Sequence, residues 1–232
     1  MAVFSRYRMV TDGLVLYIDS ANKKSYPGSG AVWDDLSGSR KIVTCLGPTP
    51  TWSDNIFTMN GSSQYFRYNQ IDSRYITFST YLYLEEYPTA LEYYSIVRQG
   101  YNPVNYCVNI NNSNYEFKIY CYGQSSGVNL GTGIYAELNT WFYITTTWDW
   151  ITKEVKLYLN GSYLTTLDIS AAGDYLFNNS QSYNYADICR NVTNNNGFIK
   201  GKVSNYTIYN RVLTQPQIEQ NFNVLRGRFG LW

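Results

Sequence analysis

With 232 residues, the chain is long enough to bury the core of one large β domain. It carries 18 basic and 17 acidic residues, a net charge of +1, and so lacks the basic surface that nucleic-acid binding requires. The absence of histidine excludes serine–histidine and cysteine–histidine nucleophilic mechanisms and removes the commonest transition-metal ligand.

The N-terminal segment contains neither an apolar stretch nor a small-residue cleavage site, so we predict no signal peptide. No apolar run approaches the ~20 residues of a membrane-spanning helix, so we predict no membrane span. The surface is expected to be neutral and polar, because the chain has 25 tyrosines but only 15% charged residues.

Alternation of apolar and polar residues dominates the sequence and predicts half-buried β-strands. An Asn-Gly pair after residue 159 predicts a hairpin between two such strands. We expect five apolar side chains on the inner faces of these strands to be buried: Phe78, Leu82, Val155, Leu157 and Leu159. The predicted strands, in chain order, are residues 13–19, 55–59, 63–69, 76–84, 92–98, 104–110, 115–122, 141–148, 153–159, 162–167, 184–190 and 198–209.

One helix is predicted near the end of the chain, over residues 214–226. Thr214 and Gln217 have the spacing of a capping box, and apolar residues recur four and seven positions after Ile218. Many short strands without intervening helices indicate an all-β sandwich or jelly roll, which we treat as one domain over residues 1–232.

The four cysteines, Cys45, Cys107, Cys121 and Cys189, contain no C-x-x-C pair, so a zinc or redox motif is not supported. Free, partly buried thiols are the main expectation. A disulfide between Cys107 and Cys121, which flank a predicted hairpin, remains the alternative.

Six segments in order resemble laminin G-like domains with the concanavalin A-like jelly roll: residues 13–19, 33–38, 57–66, 76–82, 141–148 with 155–161, and 201–214. The resemblance implies two antiparallel sheets with a short C-terminal helix, and a core at about 13–226. It also implies binding or structural attachment rather than catalysis. Members of the family often bind calcium, but no ligand set is assignable here, and the residues themselves indicate no cofactor.

The segments 14–22, 25–30 and 221–230 resemble virion proteins of tailed bacteriophages. This implies a non-catalytic capsid decoration or fibre-type protein, located in the virion after assembly in the host cytoplasm. Its expected partners are major capsid or tail and fibre proteins, host-surface glycans, and further copies of itself. Segments 1–12 and 227–232 are expected to be attachment arms, with these contact residues: Phe4, Tyr7, Arg8, Arg226, Arg228, Phe229 and Trp232.

Two alternatives remain. A stand-alone lectin would use aromatic and amide side chains on loops, for which the candidates are Tyr101, Asn102, Asn105, Trp150, Tyr183, Asn184 and Tyr185. A glycoside hydrolase would need two suitably spaced carboxyl groups, for example in a Glu-x-Asp-x-x-Glu strand. The sequence lacks such a run, and the pairs Asp34-Asp35 and Glu85-Glu86 would point to opposite faces, so we predict no enzyme activity.

Overall fold

The computed structural model describes residues 8–88, 93–100, 106–176, 184–191 and 197–232. Within these ranges, none of the helices is both long and apolar enough to cross a membrane. The strands are β1 Leu14–Asp19, β2 Val32–Asp34, β3 Ile42–Leu46, β4 Thr51–Ser53, β5 Ile56–Asn60, β6 Tyr65–Asn69, β7 Tyr75–Leu84, β8 Tyr94–Gln99, β9 Tyr106–Ile110, β10 Glu116–Tyr122, β11 Gly127–Tyr135, β12 Trp141–Asp149, β13 Glu154–Leu159, β14 Ser162–Asp168, β15 Tyr185–Ile188 and β16 Lys200–Tyr209. The helices are α1 Gln215–Leu225 and the 3-10 helices Ser170–Ala172 and Arg226–Phe229.

The strands form two eight-stranded sheets that face each other. Sheet A has the order β14-β13-β12-β7-β16-β5-β4, with β1 also paired to β16. Sheet B has the order β11-β10-β9-β8-β15-β6-β3-β2. All pairings between these strands are antiparallel. The predicted jelly-roll sandwich with a short C-terminal helix is therefore confirmed.

The core between the sheets contains the side chains that alternation assigned to it. Phe78, Leu82, Val155 and Leu157 are each at most 2% exposed. Burying such a side chain stabilises the fold by roughly 1.5–3 kcal/mol. Leu159 is only half-buried, because it is the last residue of β13 and lies at the rim of the sheet.

The outer face of sheet A is also covered. Tyr81 of β7 and Tyr143 of β12 are at most 1% exposed, although they point away from the core. They pack with Phe222 and Leu225 of α1 and with Phe229 of the last 3-10 helix. The alternating pattern did not indicate that β7 is buried on both faces, because the covering helix lies far away in the sequence.

Helix α1 begins as the capping box predicts. The backbone N–H of Thr214 donates to Oε1 of Gln217 at 3.1 Å, and Ile218 is buried against Tyr209 and Val10. Val10 is held here by its own N–H, which donates to Oδ1 of Asn221 at 2.9 Å. The beginning and the end of the described chain therefore meet on the outer side of sheet A.

The four cysteines are free and buried. Cys107 lies directly opposite Tyr120 across the β9–β10 pair, whereas Cys121 is the next residue of β10. Neighbouring residues in a strand point to opposite faces, so Cys121 faces the core and Cys107 faces outward. The alternative of a Cys107–Cys121 disulfide is therefore wrong.

Candidate functional site

Three arginines surround one buried carboxylate on the outer face of sheet B. Asp187 of β15 lies opposite Arg67 of β6 and Arg98 of β8 in the strand register. Nε and Nη2 of Arg67 donate to the two oxygens of Asp187 at 2.7 and 2.9 Å, and Nη1 of Arg190 donates at 3.2 Å. We call these four residues the arginine cluster.

The arginine cluster has more positive than negative charge. The side chain of Asp187 is inaccessible to solvent, and it is the one carboxylate among three guanidinium groups. Burial acts to lower the pKa of Arg67, but its hydrogen bond to Asp187 and the charge of that carboxylate outweigh burial and raise the pKa. Nε of Arg98, which is buried, finds no hydrogen-bond partner in the described part of the chain.

Tyrosine rings hold the guanidinium groups in place. The guanidinium carbon of Arg67 lies 3.4 Å from the ring centroid of Tyr185, and that of Arg190 lies 4.3 Å from the centroid of Tyr65. Such stacking is favourable and fixes the plane of each guanidinium group. The site therefore has a preformed wall of alternating aromatic and cationic groups.

Beside this wall runs an open groove of about 560 Å³ over β3 and β6. Alternation along β3 points Val43 and Cys45 into the core, and Thr44 outward opposite Arg67. The polar groups that line the groove come from the turn before β3 and from both strands: Ser39, Arg40, Lys41, Thr44, Arg67 and Asn69. Ile42, 64% exposed, adds an apolar surface.

The structure brings together the ends of two loops that were predicted to bind sugar. The N–H of Gly100 donates to the carbonyl oxygen of Tyr185 at 3.4 Å, and the N–H of Gln70 donates to that of Asn184 at 3.3 Å. Asn184 is exposed and Tyr185 half-buried, both next to the groove-lining Asn69. The other candidates on these loops lie outside the described residues: Tyr101, Asn102, Asn105 and Tyr183.

Trp150 does not have the exposed ring that the prediction requires. It is 1% exposed and packs edge-on against Tyr175, with ring centroids 5.4 Å apart. Its backbone N–H donates to the carbonyl oxygen of Arg74 at 3.0 Å, which turns the chain inward just after β12 ends. Trp150 is therefore a core residue and not a platform for a sugar.

The predicted attachment residues differ in whether their side chains are buried in the domain or exposed to solvent. Phe229 is 8% exposed and stacks on Tyr81 at 4.2 Å, and Nη1 of Arg228 contacts both carboxylate oxygens of Asp19 at 2.8 and 2.9 Å. Phe229 is therefore used inside the domain, because the apolar outer face of sheet A needs a cover. The Arg228 side chain is 41% exposed beside Asp19, so its role in attachment stays a prediction.

The remaining attachment candidates differ in the solvent exposure of their side chains. Arg8 is exposed, Arg226 is half-buried, and Trp232 is 87% exposed. Phe4 and Tyr7 lie outside the described residues. Trp232 therefore has the largest free apolar surface of the described residues in this set.

The arginine cluster and the groove were not found from the sequence. A usable signal was present, because Asp187 stands between Ala186 and Ile188 in a strand pattern, and a buried carboxylate needs a cationic partner. Nothing in the sequence identified Arg67, 120 positions away, as that partner.

No group of three or more His, Cys, Asp or Glu side chains among the residues with described positions is arranged to hold a metal ion. The groove lining likewise offers no carboxylate ligand.

A family model of the laminin G type, described as the concanavalin A-like lectin/glucanases superfamily, matches residues 58–219. This match spans more than half of the chain. The chain belongs to the concanavalin A-like lectin/glucanase superfamily. No curated protein matches the sequence of this chain.

Solved structures with the same fold include several binding domains of botulinum neurotoxin. The serotype D/C binding domain has a TM-score of 0.69 and 16% identity, over 93% of this chain and 53% of that chain. The neurotoxin DC binding domain, solved with SialylT and also with rat synaptotagmin II, has a TM-score of 0.66 and 14% identity in both cases, over 93% of this chain and 52% of that chain. The chain thus spans about half the length of those binding domains. Its similarity to them establishes the fold.

Proposed function

We propose that the chain is a non-catalytic carbohydrate-binding module of lectin fold, with its ligand in the groove over β3 and β6. The observation that carries the proposal is the open groove beside the stacked wall of Arg67 and Tyr185. On sheet A, by contrast, α1 and the chain end occupy the corresponding outer face.

The groove has the chemistry that a sugar requires. The hydroxyl of Thr44 and the amide of Asn69 offer both donors and acceptors to sugar hydroxyl groups. The half-buried side chain of Leu46 and the exposed side chain of Ile42 offer apolar surface to the C–H face of a sugar ring. A small number of polar groups on an otherwise rigid, partly apolar surface is typical of ligand sites.

Catalysis is not part of the proposal. A retaining glycoside hydrolase needs two free carboxyl groups about 5 Å apart at the substrate. The one carboxylate of the arginine cluster, Asp187, is inaccessible and bonded by Arg67 and Arg190. Supporting this view, the fold neighbours are binding domains.

The proposal is tested with a glycan array and the purified chain. We expect Asn69→Ala and Ile42→Ala to weaken binding about fivefold, since each removes a groove contact worth roughly 1 kcal/mol. Tyr163→Ala is the matched control, because Tyr163 is 49% exposed but lies on β14 of sheet A. Unchanged binding in the first two variants, or loss in the control, would contradict the assignment of the groove.

The virion role is proposed as a second function. The phage-like end segments and the 87% exposed indole of Trp232 support a module that attaches to a tailed-phage particle through its C-terminal end. In this proposal, residues 1–232 form a single domain with terminal attachment arms, and capsid or tail proteins are the partners. Host-surface glycans then occupy the groove.

A further inference from the structure

The groove over β3 and β6 has unbalanced charge. Its lining includes Arg40, Lys41 and Arg67, and no Asp or Glu among the described residues. No ion pair joins Arg40 or Lys41 to any residue whose position is described, whereas Arg67 is bonded to Asp187. Two carboxylates lie near this end of the groove, because Oδ2 of Asp35 accepts the backbone N–H of Lys41 at 3.3 Å and Asp34 pairs with Ile42 in the strand register. Neither forms an ion pair with Arg40 or Lys41, and a cation without an ion-pair partner at a partly enclosed surface attracts an anion more strongly than one in open water.

The cations stand at two separate points of the groove. Thr44 lies opposite Arg67 in the antiparallel register of β3 and β6. Lys41 precedes Thr44 by three positions, so Lys41 and Arg67 are separated by about 10 Å along the strands at ~3.3 Å per residue. In the same register, Ile42 and Asn69 lie between Lys41 and Arg67. The groove therefore presents cation, neutral contact surface, and cation in sequence.

We infer that the groove binds an acidic oligosaccharide, one whose sugar residues carry carboxylate or sulfate groups. The inference rests on the proposed carbohydrate-binding function and names its ligand class. Anionic groups on the saccharide pair with Arg40 and Lys41 at one end and with Arg67 at the other. Asn69, Thr44 and Ile42 contact the sugar between them. Arg67 stays charged and fixed, because Asp187 and Tyr185 hold it from the opposite side.

Titration calorimetry with the full chain tests the inference. The probes are hexagalacturonate for carboxylate, a heparin-derived hexasaccharide for sulfate, maltohexaose as the neutral saccharide, and an oligothymidylate as a non-saccharide polyanion. We expect one or both acidic saccharides to bind, the neutral one to bind at least about tenfold more weakly, and affinity to fall with added salt. The relative affinity for the two acidic probes then identifies the preferred anionic group.

The variant R40Q/K41Q removes two adjacent cations from the groove, and K23Q/K24Q removes two adjacent cations elsewhere. Lys23 and Lys24 are exposed, and Lys23 lies over Trp52 of sheet A. We expect R40Q/K41Q to lose at least about tenfold in affinity for the acidic probe, and the control to keep it. Thermal melting of both variants checks that the fold is retained.

The outcomes of these experiments test the acidic ligand and the proposed carbohydrate-binding function separately. Equal binding of neutral and acidic saccharides, or equal affinity in R40Q/K41Q and the control, overturns the acidic ligand and leaves the carbohydrate-binding proposal standing. Tighter binding of oligothymidylate than of any saccharide overturns the ligand class. Absence of binding to every glycan on the array overturns both.

Discussion

Burial controls the reactivity of the cysteine thiols. It raises the pKa of Cys45 to about 11 and those of Cys121 and Cys189 to about 12, so these groups stay protonated near neutral pH. The thiolate is the nucleophile, so we expect iodoacetamide at pH 8 to label the native protein slowly. After unfolding in guanidinium chloride, mass spectrometry should count four labelled thiols. Rapid labelling of the native chain would contradict the burial.

Glu116 links one side chain to stability at acid pH. Burial acts to raise its pKa, but the N–H of Gly133, which donates at 2.7 Å, and Lys118, 3.2 Å away, lower the pKa overall. A carboxyl group whose pKa is lowered by folding stabilises the fold above its unfolded pKa, and this contribution disappears as pH falls through the folded value.

We therefore expect Glu116→Gln to destabilise the protein at pH 7, where it weakens a charge-assisted hydrogen bond worth roughly 1 kcal/mol, and to destabilise it less at pH 3. Urea denaturation at a series of pH values measures the difference. The control is Glu154→Gln, because the Glu154 side chain is 43% exposed and pairs with Lys156 at 3.2 Å on the protein surface. A destabilisation by Glu116→Gln that is the same at both pH values would show that its carboxylate charge is not the cause.

Among the elements, the last 3-10 helix, Arg226–Phe229, is expected to contribute to the free energy of unfolding. Phe229 packs against Tyr81 and Trp141, with ring centroids at 4.2 and 4.6 Å. Phe229→Ala should reduce the free energy of unfolding by about 3 kcal/mol, as expected for removal of a buried ring. Trp232→Ala, three residues later and 87% exposed, should change it by less than about 0.5 kcal/mol. Equal effects would mean that the segment does not dock as described.

The strands show what a local pattern can and cannot reveal. The long strands such as β7 and β13 were predicted because alternation over many residues is a strong signal. The three-residue β2 and β4 are too short for a period to appear, and the glycines of β11 interrupt its pattern. Helix α1 was predicted closely, because Thr214 and Gln217 are local capping signals.

Across the whole molecule, the candidate site was harder to predict than the fold. Its parts come from β3, β6, β8 and β15, which sheet pairing brings together from distant parts of the chain. The loop candidates lay close to the right place, since Asn184 and Tyr185 border Asn69. The arginine cluster itself depends on non-local pairing that no single-sequence period encodes.

The proposed virion attachment gives a prediction for the assembled particle. Because Trp232 is exposed and does little for the fold, Trp232→Ala should reduce incorporation into purified phage particles without reducing stability. Tyr135→Ala is the control, since Tyr135 is 56% exposed on the edge strand β11. Immunoblotting of particles measures incorporation. Unchanged incorporation of Trp232→Ala would count against attachment through the C-terminal end.

The two described ends of the chain meet on sheet A. Their position determines which side of the protein would face a larger body joined to either end. Val10 and Asn221 are bonded on the outer side of sheet A, whereas the groove opens on sheet B, the opposite layer. A larger body tethered at either end would stand behind the sandwich and leave the groove facing the surrounding medium. Many copies tethered in this way would point their grooves outward together, and weak individual contacts would then add as avidity on a surface that repeats the same sugar.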